Sequence, residues 1–223
     1  MIWFTSDLHL GQKNIIKGAS SWGVRSFRSV DHMNDIIIAN INKCVPLEGT
    51  LWNLGDLYFG KDDEVFHGLY SRIVSNHHNV IWGNHDDEIK KREDLSTFFE
   101  STQEAKYLVR KSPPSKKSHP QQKWTKNHFY LNHYACRVWR RSHKGAYHLY
   151  GHSHTNLDNI HAQTGTKKDI NKFYSDHKCM DVGIDNAFRL LGEYRPFHIT
   201  EIVDILSSND NLVVDHHNKD TDD

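Results

Sequence analysis

Asp, Asn and His recur in five short clusters along this chain: Asp7-Leu8-His9, Gly55-Asp56, Gly83-Asn84-His85-Asp86, a single His133 behind an apolar run, and Gly151-His152-Ser153-His154. Asp7, Asp56 and Asn84 offer oxygens, and His9, His133, His152 and His154 offer imidazole nitrogens. His85 stands beside this set without being needed for it. Such donors suit manganese, zinc or iron and differ from the thiolates of a structural zinc site. The set suffices for two divalent ions with Asp56 shared, since a common carboxylate lets two cations approach to about 3.5–4 Å. A pair of this kind clamps a phosphate oxygen and lowers the pKa of bound water from 15.7 to about 7, giving a hydroxide that attacks phosphorus in line. Asn84 adds a ligand without adding charge. Singly, each cluster has an ordinary explanation: a strand-end turn for Asp7-Leu8-His9 or Gly55-Asp56, and a satisfied core histidine for His133. Their conjunction, each cluster at the end of a predicted strand, points to a dinuclear metal site.

The elements that must position these residues are legible in outline. Ile2 to Thr5 reads as a buried strand delivering Asp7 to a loop. Asp31 to Cys44 places Met33, Ile37, Ile41 and Cys44 at helical spacing, ended by Pro46 and Gly49. Leu51–Leu54 predicts a second strand before Gly55-Asp56, Glu64–Ser75 a helix, and Asn79–Trp82 a third strand before Gly83-Asn84. A strand followed by a ligand at its C-terminal end is how open α/β sheets build sites. Beyond Glu104 the short β-rich runs Tyr107–Val109, Phe129–Leu131 and Tyr147–Tyr150 follow, the last two ending near His133 and His152. Lys111 to Asn127, rich in Pro, Ser and Lys, reads as an exposed loop. Cys179–Ile184 predicts another strand, and Thr200 is placed to cap a helix from Glu201 to Leu206. These elements make one domain over residues 1–206, and the polar segment 207–223 is expected to be partly disordered.

Composition narrows the class. At 223 residues with 37% apolar content, the chain is long enough for a core without disulfide staples. Mean hydropathy is −0.73, and no apolar run approaches the roughly 18 residues of a membrane span. Met1–Asp7 lacks a basic leader segment, so no signal peptide is expected. Cys44, Cys136 and Cys179 are widely spaced and odd in number, which reads as reduced thiols in a cytoplasmic protein. Net charge is zero, yet Ala105 to Leu157 contains no Asp or Glu and carries eleven Lys and Arg residues. Part of that charge would surround His133, His152 and His154 and attract an anion such as a phosphate ester, while the loop around Lys116 reads as a solvated face. Arg25 and Arg28, in the loop after the first cluster, are candidates to hold a phosphate oxygen bidentately.

The ordered clusters, with Ile2–Asp7, Asn14-Ile15-Ile16, Leu54-Gly55-Asp56, His148–His154 and Asp181–Asp185, resemble the calcineurin-like metallophosphoesterase superfamily, and more closely its small bacterial and phage members. The resemblance runs from residue 2 to about 206 and implies an α/β fold, a four-layer αββα sandwich with the metals at one end of its two sheets. It implies a first ion on Asp7, His9, Asp56 and His154, and a second on Asp56, Asn84, His133 and His152. Manganese is the favoured metal, with zinc, iron or nickel as alternatives. His85 then corresponds to the catalytic histidine, contacting the scissile phosphate or protonating the leaving oxygen. Asp86 either supports the site from behind or caps a helix. Gly55–Gly60 departs from the Ser/Thr protein phosphatases, whose carboxylate falls where Phe59 stands. That branch is therefore not expected, and His85 lacks the acidic partner that orients it in several relatives.

Three functions follow in order of preference. The first is a phosphoesterase hydrolysing a phosphodiester or nucleotide phosphate by attack of a metal-bridging hydroxide. The second is a nuclease or end-trimming phosphatase, suggested by the acid-free basic stretch with Trp124, Tyr134 and Trp139 as stacking candidates. The third is a metal-binding scaffold without catalysis. The expected partner is a small phosphoester or a nucleotide, with nucleic acid as the alternative and no membrane.

Overall fold

The computed structural model describes residues 1–21, 23–60, 62–92, 94, 97–113, 124–155, 174 and 176–211. In β1 (Ile2–Thr5) successive side chains serve two different cores: Ile2 and Phe4 join one cluster and Trp3 the other. Side chains alternate across a strand, so one buried on both faces needs a packed layer on each side. β1 lies in a sheet of order β4-β3-β2-β1-β9, with β2 (Thr50–Asn53), β3 (His77–Ile81), β4 (Ser101–Gln103) and β9 (Phe197–His198). β1 to β4 run parallel and β9 is antiparallel to β1. A second sheet orders β5 (Ala105–Ser112), β6 (Thr125–Asn132), β7 (Tyr147–Tyr150) and β8 (Cys179–Asp181). It is antiparallel at β5–β6 and parallel from β6 to β8.

The two sheets share a core in which Phe4, Trp52 and Ile81 from the first meet Leu108, Phe129, Leu149 and Met180 from the second. The opposite face of the first sheet, Trp3, Leu51 and Val80, is covered by α1 (Val30–Cys44) through Met33, Ile37 and Ile41 and by α2 (Asp63–Tyr70) through Phe66 and Tyr70. Tyr150 and Cys179, on the other side of the second sheet, pack with Trp139 and Ala146. Three further helices are described: α3 (Asp87–Lys90), α4 (Ile184–Leu191) and α5 (Ile199–Leu206). The fold is thus α/β with two mixed sheets. Among the described residues no helix is long and apolar enough to cross a membrane, and the three cysteines form no disulfide.

Several predicted boundaries move, each for a local reason. α2 ends at Tyr70 rather than Ser75, because Asn42 on α1 takes the next backbone groups: its Oδ1 accepts from Val74 N–H at 3.0 Å and its Nδ2 donates to Arg72 O at 2.7 Å. The loop predicted over Lys111–Asn127 is shorter, since β5 runs to Ser112 and β6 starts at Thr125. Ser112 is buried there, with Asn127 Nδ2 donating to its Oγ at 2.6 Å; residues 114–123 lie outside the described ones. β8 stops at Asp181, whose carboxylate accepts from Gly183 N–H at 2.6 Å and turns the chain into α4. α5 starts at Ile199 and is capped by His198, not Thr200: Glu201 accepts from His198 N–H at 2.8 Å in a reciprocal capping box. Of the tail, Asp210 pairs with the backbone of Asp176 and Lys178, and residues 212–223 lie outside the described ones.

Candidate metal centre

Every predicted ligand follows the C-terminal end of a strand that runs parallel to a neighbour: β1 before Asp7 and His9, β2 before Asp56, β3 before Asn84, β6 before His133, and β7 before His152 and His154. The turns after β1 and β2 are laced together. Asp7 N–H donates to Gly55 O at 2.9 Å, His9 N–H to Asp56 O at 3.0 Å and Leu10 N–H to Leu57 O at 3.1 Å. Five predicted ligands take left-handed backbone conformations: Asp7 (φ 56°), His9 (48°), Asp56 (55°), His152 (64°) and His154 (44°). Such residues cost about 1–3 kcal/mol each and persist only where their surroundings impose them, as functional sites do. Gly151 makes room for one of them. A Cβ there would lie 2.6 Å from Asp7 Oδ2, on the carboxylate that accepts from His152 N–H at 3.0 Å.

The side chains converge in two groups. The ligand atoms of Asp7, His9 and His154 lie within 4.8 Å of one another, and so do those of Asp56, His133 and His152. Asp56 joins them. Its Oδ1 accepts from His85 N–H at 3.0 Å, while its Oδ2 stands 3.6 Å from both His9 Nε2 and His133 Nε2. Asn84 Oδ1 is 3.0 Å from His133 Nε2 and so completes the second group. Ligand bonds of about 2.0–2.2 Å place donor atoms about 3–3.5 Å apart around one ion, so these separations need only a slight contraction.

The hydrogen bonds around the two groups leave ligand atoms that could hold a metal ion. His133 Nδ1 lies 2.7 Å from the Leu54 carbonyl, which only accepts, so the proton of the neutral ring sits there. Its Nε2 lone pair then faces Asn84 Oδ1 and Asp56 Oδ2, a convergence of acceptors. His9 is buried and neither of its ring nitrogens has a hydrogen-bond partner. Burial, with Arg25 and His154 nearby, holds its pKa well below the ordinary imidazole range, so it presents a lone pair. Burial also pushes the Asp7 carboxyl up to about 7, with Asp56 adding to the rise. His9 thus presents the neutral imidazole that a divalent ion favours, whereas His154 and Asp7, both raised, must give up a proton to bind one. The residues present could hold a divalent ion.

Behind the ligands stands a layer in which the sequence reading gave a supporting role to Asp86 alone. His154 Nδ1 donates to Asp185 Oδ2 at 2.7 Å. Burial opposes charge on His154, yet that bond and the Asp7 carboxylate raise its pKa to about 9. Burial would raise Asp185 too, but the Arg25 guanidinium and His154 hold it well below the usual carboxylate range. Asp181, buried at the end of β8, accepts from Ser153 Oγ and from Thr155 N–H, fixing the turn that carries His152 and His154. The signal for both was the pair of acids four residues apart in Asp181–Asp185. Asp86 is buried, and its carboxylate accepts from Asp56 N–H at 2.8 Å, Leu57 N–H at 2.9 Å and Gly83 N–H at 2.8 Å. It precedes α3 but makes no side-chain cap to it, so it braces the Asp56 turn.

The expectation for Arg25 is corrected. Its side chain is fully buried, and all five N–H donors are used within the protein, on Asp185 Oδ1 and Oδ2, the carbonyls of Asp7 and Leu8, and Met33 Sδ. No donor remains for a phosphate oxygen. Arg28 is exposed and lines a different cleft, with Lys13, Lys17 and Ser29. His85 is exposed at the centre, its ring 5.7 Å from that of His9 and edge-on to Phe59 at 5.1 Å. Trp139 is not available for stacking, being 4% exposed with Nε1 bonded to Ala146 O at 2.8 Å.

No family model matches the chain, and no curated protein matches it. It is similar in structure to AQ665, a protein of unknown function from Aquifex aeolicus, with a TM-score of 0.57 at 19% identity over 92% of this chain and 99% of that one. At that identity the likeness speaks to the fold alone.

Proposed function

We propose that this protein is a dinuclear metal-dependent phosphoesterase, with phosphodiesters favoured over monoesters, on a four-layer αββα sandwich of the metallophosphoesterase type. The observation that carries this reading is the Asp56 carboxylate, whose Oδ2 stands 3.6 Å from a histidine nitrogen of each ligand group. Asp7, His9, Asp56 and His154 would hold one ion and Asp56, Asn84, His133 and His152 the other, with manganese favoured by the mixed oxygen and nitrogen donors. Two divalent ions so held would polarise a phosphoryl oxygen and acidify a bound water. The chain's own residues do the rest. Asp86 fixes the turn bearing Asp56, and Asp185 fixes the ring of His154. His85, anchored by its backbone N–H and exposed as a side chain, would contact the scissile phosphate or protonate the departing oxygen.

Hydrolysis of bis-p-nitrophenyl phosphate beside p-nitrophenyl phosphate tests the proposal, using manganese-reconstituted protein and an EDTA control. The expected result is EDTA-sensitive cleavage with the diester preferred. A preference for the monoester would make the protein a nucleotide or end-group phosphatase instead. No cleavage of either ester with both ions bound would favour a scaffold role.

A further inference from the structure

We propose that the ester taken at this centre carries a nucleobase, and that Tyr134 is the ring on which the base stacks, with Phe59 as the second aromatic wall. The inference rests on the phosphoesterase reading for the position of the phosphate. Tyr134 directly follows the ligand His133. Its ring lies 5.0 Å from that of His133 and 4.9 Å from that of His152, edge-on to both. Its backbone is pinned, with N–H donating to Asn132 Oδ1 at 2.8 Å. Even so, 49% of its surface is open to solvent, and Phe59, edge-on to His85, is 41% exposed. Each exposed ring therefore touches a residue of the proposed machinery.

Exposure is what separates these rings from packing. A ring needed only to wedge the imidazoles would gain by full burial. Trp139, five residues along the same loop, does so: it is buried against His148 with its N–H satisfied. Tyr134 and Phe59 forgo that gain where a phosphate held by the ligands would have its organic groups. A nucleoside phosphate presents its base one sugar away from phosphorus, within reach of a ring that touches the same ligands. An exposed aromatic ring beside a phosphate site is the combination by which proteins hold single-stranded bases and nucleotides.

Calorimetric titration of the manganese-loaded protein with AMP and with ribose 5-phosphate, which share the phosphate and sugar and differ by the base, tests the proposal. The expected result is AMP binding about 10-fold tighter or more, with that advantage lost in Tyr134→Leu. Equal affinities in the unaltered protein, no detectable AMP binding, or an advantage that survives in the Tyr134→Leu, Phe59→Leu double variant would overturn it. The comparison within the unaltered protein stands even if the variants fold poorly. Binding is read without turnover, so a protein that prefers AMP but cleaves no diester would retain the base site and refute hydrolysis instead. A parallel titration with hexathymidylate and TMP identifies the source. Tighter, salt-sensitive binding of the hexamer indicates a strand, and equal affinity indicates a mononucleotide.

Discussion

The Arg25 guanidinium and the Asp185 carboxylate meet in a bidentate pair, Nε to Oδ1 at 2.8 Å and Nη2 to Oδ2 at 2.9 Å, directly behind His154. Since Asp185 Oδ2 also accepts from His154 Nδ1, and Arg25 also binds the carbonyls of Asp7 and Leu8, one buried cation ties the first and last ligand clusters together. A carboxylate behind a ligating histidine fixes its tautomer and ring orientation.

Asp185→Asn should therefore weaken metal binding without touching a ligand. An amide in place of the carboxylate leaves the Arg25 charge uncompensated and a weaker acceptor for His154. Manganese affinity at the first ligand group should fall about 10–100-fold by equilibrium dialysis. Breaking the buried pair should also cost about 3–5 kcal/mol of stability in urea. Unchanged affinity in a variant that folds would show that His154 does not depend on Asp185.

Asp86→Ala removes the acceptor for three backbone N–H groups at once, and Asp56, Leu57 and Gly83 cannot find another in a buried turn. Each unsatisfied buried donor costs about 1–3 kcal/mol. Unfolding of the variant should begin at much lower urea, and protein that still folds should hold less than its full complement of manganese by elemental analysis. Full stability would mean that water replaces the carboxylate.

The site was far more legible in the sequence than its support. Asp7, His9, Asp56, His133, His152 and His154 could be read because short spacing and strand-end position reveal residues that a loop brings together. Asn84 followed from the same rule. Arg25 could not be read correctly: a basic residue in a loop beside an anion site looks the same whether its donors face solvent or five acceptors contributed from residues 7 to 185. The end of α2 was hidden for a related reason, since Asn42, nearly thirty residues earlier, supplies the bonds that stop the helix. His198 went unread as a cap because it is not among the usual capping residues. Apolar runs located seven of the nine described strands, because burial on both faces of a sheet is a local pattern, but β4 and β9 are too short to show one, and the half-exposed ends of β5 and β6 went unread.

His148 makes a prediction that does not involve the metals. It is buried under Trp139 and Tyr150; its Nδ1 donates to Tyr130 O at 3.1 Å and its Nε2 accepts from Cys136 N–H at 2.9 Å, so only the neutral ring serves both partners. Burial lowers its pKa from 6.5 to about 4. Between these values the unfolded chain binds the proton and the folded protein does not, so stability rises with pH. The contribution is complete above about pH 6.5 and is lost as pH falls toward 4, on the order of 3 kcal/mol in all. Urea unfolding in EDTA at several pH values should show a shallower decline for His148→Gln than for the unaltered protein. His78, shifted in the same direction, is common to both and cancels. Parallel pH curves would mean that His148 is not the titrating group.

His85→Ala separates the two tasks open to that histidine. The ring makes its contacts with Phe59 and His9, and Asp56 receives only the backbone N–H, which alanine keeps. Metal content should therefore be unchanged by elemental analysis. Turnover should fall about 10²–10⁴-fold if the imidazole acts as a general acid. The leaving group then decides between the tasks. p-Nitrophenolate departs readily without a proton, whereas an alkoxide such as a nucleoside 5′-oxygen does not. If His85 protonates the leaving oxygen, the loss should be small on bis-p-nitrophenyl phosphate and large on a dinucleotide. If it instead steadies the phosphate, both substrates should lose rate equally. An unchanged rate on both, with metals bound, would remove His85 from the mechanism and leave catalysis to the ions alone.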